Sequence, residues 1–193
     1  MATPKAAEPE ARASFTRMDH GSRDEWMNIG RATLGVQGNV AQRMLQMLRS
    51  FDDLYAGFRV SQLHHALQTA TMARRANAPD EIVLAALCHD VGKYVSIANH
   101  AAIAAEMLRP YVSDDTHKIV LTHQDFQGRH YFEHFGKSGA LRDKHRGEPW
   151  FALAERFTDE WDQAAFDPAY PVLPLQEFEP LVRQAFARYP MAF

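Results

Sequence analysis

The sequence predicts an all-α domain. Apolar residues recur at helical spacing through most of its segments, residues that favour helix starts stand where those segments begin, and strand signals are weak. Residues 1–14, rich in Ala, Pro and Glu, have little to bury and read as a flexible tail, with one domain expected over 15–193. Ser22 with Glu25 reads as a capping box opening a helix through about residue 33. In "NVAQRMLQMLRSF", Val40, Met44, Leu48 and Phe51 share one face. In "SQLHHALQTATMARRA", Leu63, Ala66, Leu67, Ala70 and Arg74 form a stripe. Pro79 with Asp80 and Glu81 starts a helix that runs into His89. Its "EIVLAAL" could form a buried strand, but its alanines favour helix. "NHAAIAAEML" is helical and stops before Pro110, and Ser113 with two aspartates starts the next helix. "EPWFALAERFTDEWDQAA" and "PLQEFEPLVRQAFARY" complete the set, separated by irregular, Pro-rich chain over 163–174 that is expected to lie on the surface.

Composition excludes several functions. At 193 residues and a net charge of −3 there is no basic footprint for nucleic acid, and no apolar run has membrane-spanning length. The N-terminal stretch has no apolar signal-peptide core, and one cysteine, Cys88, suits a reducing cytoplasm. Ten histidines are a rich supply for this length and hint at metal chemistry.

Helical phase sorts those histidines. His64 shares its stripe with Gln68, Thr71 and Arg75 and reads as solvent-facing, whereas His65 lies with Thr69 and Met72. His100 falls with Ile103, Ala104 and Met107, and His123 with Thr116, Ile119 and Val120, while His117 points elsewhere. His89 and Asp90 end an apolar run, where two polar side chains are costly unless paired. Any one of these could be a core histidine with a single hydrogen bond. Several converging inside a helical domain are most easily satisfied by metal ions. A late carboxylate is also expected: Glu155, Asp159 and Asp162 recur at i, i+4 and i+7 on one helical face, and spacing does not choose among them.

The order His65, His89-Asp90, His100, His123, Asp162 resembles the HD-domain superfamily in its six-ligand form, a helical bundle with a dinuclear metal site in its core. "YAGFRVSQLHHALQTA", "AALCHDVGKY", "NHAAIAAEMLRPYV", "WDQAAFDPAY" and the N-terminal "FTRMDHGSRDEW" are similar to the bacterial branch of predicted HD phosphohydrolases. That branch is similar in turn to the mixed-valent di-iron oxygenases that cleave organophosphonates, and distantly to myo-inositol oxygenase. The resemblance implies His65, His89, Asp90, His100, His123 and Asp162 as ligands, with Asp90 bridging. It implies two iron ions, Fe(II) and Fe(III), with Mn, Co or Zn in a phosphohydrolase. Lys93 and Tyr55 are implied as catalytic and substrate-binding residues, and Arg129 as a substrate-binding residue. Phe58 stands where the phosphonate-cleaving enzymes carry an acidic residue, so the same amino-substituted substrate is not implied.

The expected function is oxidative cleavage of a C–P or C–C bond in a small hydroxylated anion, with O2 as co-substrate. The alternative is metal-dependent hydrolysis of a phosphomonoester or nucleotide, in which the same ligands activate water. A non-catalytic sensing module fits less well, because it has no need of six ligands.

Overall fold

The computed structural model describes residues 12–187, so most of the expected tail lies outside the described residues. The chain divides into two compact units, Met1–Val40 and Ala41–Phe193. The described residues form helices and turns with no strand.

In the first unit, α1 (Arg23–Gln37) opens on the expected capping box. Ser22 Oγ accepts from the Glu25 amide, and the Ser22 amide donates to Glu25 Oε2 at 2.9 Å. Ser14 donates to the other Glu25 oxygen from its amide and its hydroxyl. Bonds from Ser14 and Ser22 hold the Glu25 carboxyl down at about 2. The helix runs past the expected residue 33, through Gly35, and ends before Gly38.

In the second unit, α2 (Val40–Arg49) buries Met44, Leu45 and Leu48, followed by Phe51. Ser61 caps α3 (Gln62–Arg75) by accepting from the His64 amide. Pro79 precedes α4 (Asp80–Cys88), and every side chain from Ile82 to Cys88 is buried. A helix apolar all round belongs at the centre of a bundle, and α4 has that place. It packs against α3, and α5 (His100–Leu108) packs against α6 (Asp114–Gln127). The short α7 (Phe151–Arg156) continues as one π-helical stretch, Phe157–Asp162, which meets both α3 and α6. α8 (Leu175–Phe186) closes against α4. The segments bearing histidines and late carboxylates thus surround one interior.

One expectation is corrected here. Most of the stripe of His64, Gln68, Thr71 and Arg75 does not face solvent: Gln68 and Thr71 are fully buried and His64 is partly so, while Arg75 is exposed. The irregular segment after Asp162 covers it. Gln68 donates to the Ala164 carbonyl, Arg75 to the Pro171 carbonyl, and Thr71 Oγ accepts from the Leu173 amide. Polar side chains there satisfy irregular backbone rather than water. Among the described residues no helix is long and apolar enough to cross a membrane.

Candidate metal centre

Six side chains from five segments meet in the second unit. His65 comes from α3, His89 and Asp90 from the end of α4, His100 from the start of α5, His123 from α6, and Asp162 from the end of the π stretch. All six are at most 4% exposed.

The imidazoles are locked by their Nδ1 atoms. His89 bonds the carbonyl of Ala86 at 2.9 Å, His100 that of Ile97 at 2.8 Å and His123 that of Val120 at 2.7 Å, each three residues back. His65 bonds the Ala165 carbonyl at 3.0 Å, from a distant part of the chain. A carbonyl can only accept, so each Nδ1 carries the proton. In the neutral ring each Nε2 is then a bare lone pair. These lone pairs converge: His65 Nε2 lies 3.2 Å from His89 Nε2, and His100 Nε2 lies 3.3 Å from His123 Nε2. Two lone pairs in contact repel unless a cation lies beside them.

The carboxylates complete two groups. Asp90 Oδ2 lies 3.5 Å from His65 Nε2 and 3.4 Å from His89 Nε2. Its Oδ1 lies 3.1 Å from His100 Nε2 and 3.6 Å from His123 Nε2, yet no well-formed hydrogen bond satisfies this buried oxygen among the described residues. Asp162 Oδ1 lies 3.2 Å from His65 Nε2 and 3.4 Å from His89 Nε2. Gln127 Nε2 donates to both Asp162 oxygens at 3.1 Å. His65, His89 and Asp162 form one buried group that could hold a metal ion, and His89, Asp90 and His123 form another.

The electrostatics agree. Burial opposes charge on His89, yet Asp90 and Asp162 push its pKa up to about 9. Burial likewise opposes ionised Asp90, but His89 and Lys93 hold that carboxyl well below the usual range, and His89 with His65 does the same for Asp162. The interior favours positive charge, which a bound metal ion could supply in place of a proton. The donors are nitrogen and oxygen, a set that fits Fe, Mn or Co and permits Zn. Cys88 is fully buried, and burial pushes its thiol up to about 12, away from the thiolate form that ligates metals.

Gly92 helps to seat His100. A Cβ at Gly92 would stand 2.1 Å from the His100 carbonyl oxygen, so only glycine lets the turn Val91–Tyr94 lie against the start of α5.

The acidic row in the late helix separates. Arg142, itself buried, bridges Glu155 at 3.1 Å and Asp159 at 3.0 Å, and His130 bonds Asp159 at 2.9 Å. Only Asp162 turns inward. An α-helix would keep all three on one face, but a π turn takes more residues and rotates Asp162 out of register. Lys93 Nζ bonds Asp90 Oδ2 at 2.5 Å and Gln62 Oε1 at 2.7 Å. Tyr55 is about half exposed in the turn before α3, and no hydrogen bond joins its hydroxyl to the cluster among the described residues. Arg129 is drawn to Asp159 Oδ2 at 3.8 Å rather than to the histidines. His117 bonds Glu106 at 2.9 Å, apart from the cluster.

Sequence reasoning missed Gln62, Gln127, Phe166 and the Ala165 carbonyl. The glutamines carried a signal, since Gln62 stands three residues before His65 and Gln127 four after His123, on the ligand faces of α3 and α6. Phe166 stacks on His65 at 4.5 Å, and nothing local marked it or the carbonyl beside it.

A 1-hydroxy-2-(trimethylamino)ethylphosphonate dioxygenase (glycine-betaine-forming) of Leisingera caerulea is 42% identical over 48 residues, which is 25% of this chain and 24% of that protein. The matched stretch is therefore about a quarter of that relative's length. The family model for the HD domain matches residues 63–167, more than half of the chain and the stretch that contains all six converging side chains, and the chain belongs to the HD domain family.

Proposed function

We propose that the chain is a di-iron oxygenase that cleaves a C–P or C–C bond of a small hydroxylated anion such as an organophosphonate. The observation that carries this reading is the placement of Asp90, with one carboxylate oxygen toward each histidine pair. A carboxylate so placed suits a bridge between two ions. In this reading His65, His89, Asp162 and Asp90 would hold one iron, and His100, His123 and Asp90 would hold the other. The irons supply one-electron chemistry toward O2 and substrate when bound.

The chain's own residues do the rest. Lys93 has three N–H donors and uses two on Asp90 and Gln62, so one remains for an anionic substrate oxygen. Its side chain is 15% exposed, enough to be reached from outside. Tyr55 would close over the mouth, and Arg129 would add positive charge at its rim. The Nδ1 bonds keep each Nε2 aimed inward. The Leisingera caerulea dioxygenase, whose name specifies a 1-hydroxyphosphonate, favours oxidation over hydrolysis for this chain.

The test is anaerobic iron loading, EPR for a mixed-valent pair, and a panel of phosphonates and phosphate esters with and without O2. The expected result is O2 consumption coupled to substrate turnover, lost when redox-inert Zn2+ replaces iron. Sustained anaerobic phosphate release from an ester with a non-iron metal bound would assign the chain to the phosphohydrolases instead.

A further inference from the structure

Gln62 is fully buried, on the ligand face of α3 and one turn before His65. Lys93 fixes the orientation of its carboxamide. An ammonium only donates, so the oxygen must face it, and Oε1 does at 2.7 Å. The amide nitrogen is thereby turned away from Lys93. That Nε2 is a buried donor with no hydrogen-bond partner among the described residues. An unpaired buried N–H is a standing cost to the fold, and native proteins keep such groups where a ligand or water completes them.

We propose that Gln62 Nε2 and Lys93 Nζ form a two-donor clamp for an oxyanion head, phosphonate above all, in which several oxygens share one atom. The clamp rests on the anionic-substrate reading above and adds the residue that selects such a head over a lone hydroxyl or a neutral group. One substrate oxygen accepts from the remaining N–H of Lys93, and a second accepts from Gln62 Nε2. The two donors stay side by side because a hydrogen bond joins their side chains. Asp90, the carboxylate against Lys93, has its charge shared with the ammonium and both histidine pairs. Phe58, with its ring centroid 5.9 Å from Lys93 Nζ, is the apolar neighbour of the clamp.

The experiment measures the thermal midpoint of the metal-loaded full-length chain against rising methylphosphonate, for wild type, Gln62→Met, Gln62→Glu and Lys93→Met, with metal content determined in each. Binding to the folded state raises the midpoint, and its concentration dependence gives Kd. Gln62→Met should weaken methylphosphonate about ten-fold to a hundred-fold, the loss of one hydrogen bond to a charged group. Its midpoint without methylphosphonate should stay close to that of wild type, because the bond that Oε1 accepts from Lys93 is lost together with the unpaired donor, and a side chain of similar volume fills the space. Gln62→Glu, which replaces the donor with a repelling carboxylate, should weaken binding further. Wild-type affinity in Gln62→Met alongside weakened Lys93→Met overturns the clamp and leaves the anionic-substrate reading standing. No response of metal-loaded wild type to methylphosphonate overturns the clamp and the substrate reading together.

Discussion

The two histidine pairs differ in how they are built. The pair His100 and His123 is set locally: each ring bonds a carbonyl three residues back in its own segment, and the helices that bear them pack directly together. In the pair His65 and His89, His89 is likewise set by the Ala86 carbonyl three residues back, but the rest depends on distant chain. His65 is oriented by the Ala165 carbonyl, 100 residues away, and shares Asp162 with His89, while Gln127 steadies that aspartate across 35 residues. The long-range half has a carboxylate of its own, and among the described residues the local half meets only Asp90. A half with fewer protein donors would leave more coordination positions open on an ion held there, as open metal sites do. The expensive tertiary construction is thus concentrated on the half that is closed.

Substitutions can break this contrast or sharpen it. The largest effect is expected from Asp90→Ala, because one side chain serves both halves. Elemental analysis should find metal lost from both, and full retention would remove the bridging role. Asp162→Ala should act on one half alone, lowering content from about two ions per chain to about one, because a lost ligand weakens a single site. Asp159→Ala should keep both ions, since Asp159 faces Arg142 and His130. Metal loss in Asp159→Ala instead of Asp162→Ala would reverse the assignment made by the π turn.

A smaller effect is expected from Gly92→Ala. The added methyl would meet the His100 carbonyl and should cost roughly 1–3 kcal/mol by overpacking. Because the displaced backbone carries His100, titration of the apo chain with Fe(II) or Mn(II) should show weakening in the local half only. Equal weakening of both halves would mean that the halves are mechanically coupled. The smallest effect is Cys88→Ala, beside His89 but not aimed at either half. It should cost about 1 kcal/mol of stability in denaturant unfolding, the usual scale of a small buried truncation. Metal content and turnover should stay at wild-type levels.

Much of this was legible in one dimension. The 3.6-residue period separated His65 from His64 and placed His100 and His123 inward, because each judgement needs only neighbours on one helix. The resemblance then selected Asp162 from an acidic row that spacing left open. Where the reading failed, the cause was chain from elsewhere: Gln68 and Thr71 looked solvated and are covered by residues 164–173.

By itself, the sequence determined an all-helical chain, the capping of α1 and α6, and the faces on which the histidines stand. These follow from local periodicity and from hydrogen bonds spanning three or four residues. Tertiary structure decided the rest. It turned Asp162 inward through a π stretch wedged between α3 and α6, gave Asp159 to Arg142, and brought the Ala165 carbonyl to His65. The physical reason is range. A helix sets the direction of a side chain, but convergence of lone pairs from five segments on one interior depends on packing between residues up to a hundred positions apart, and no local period encodes it.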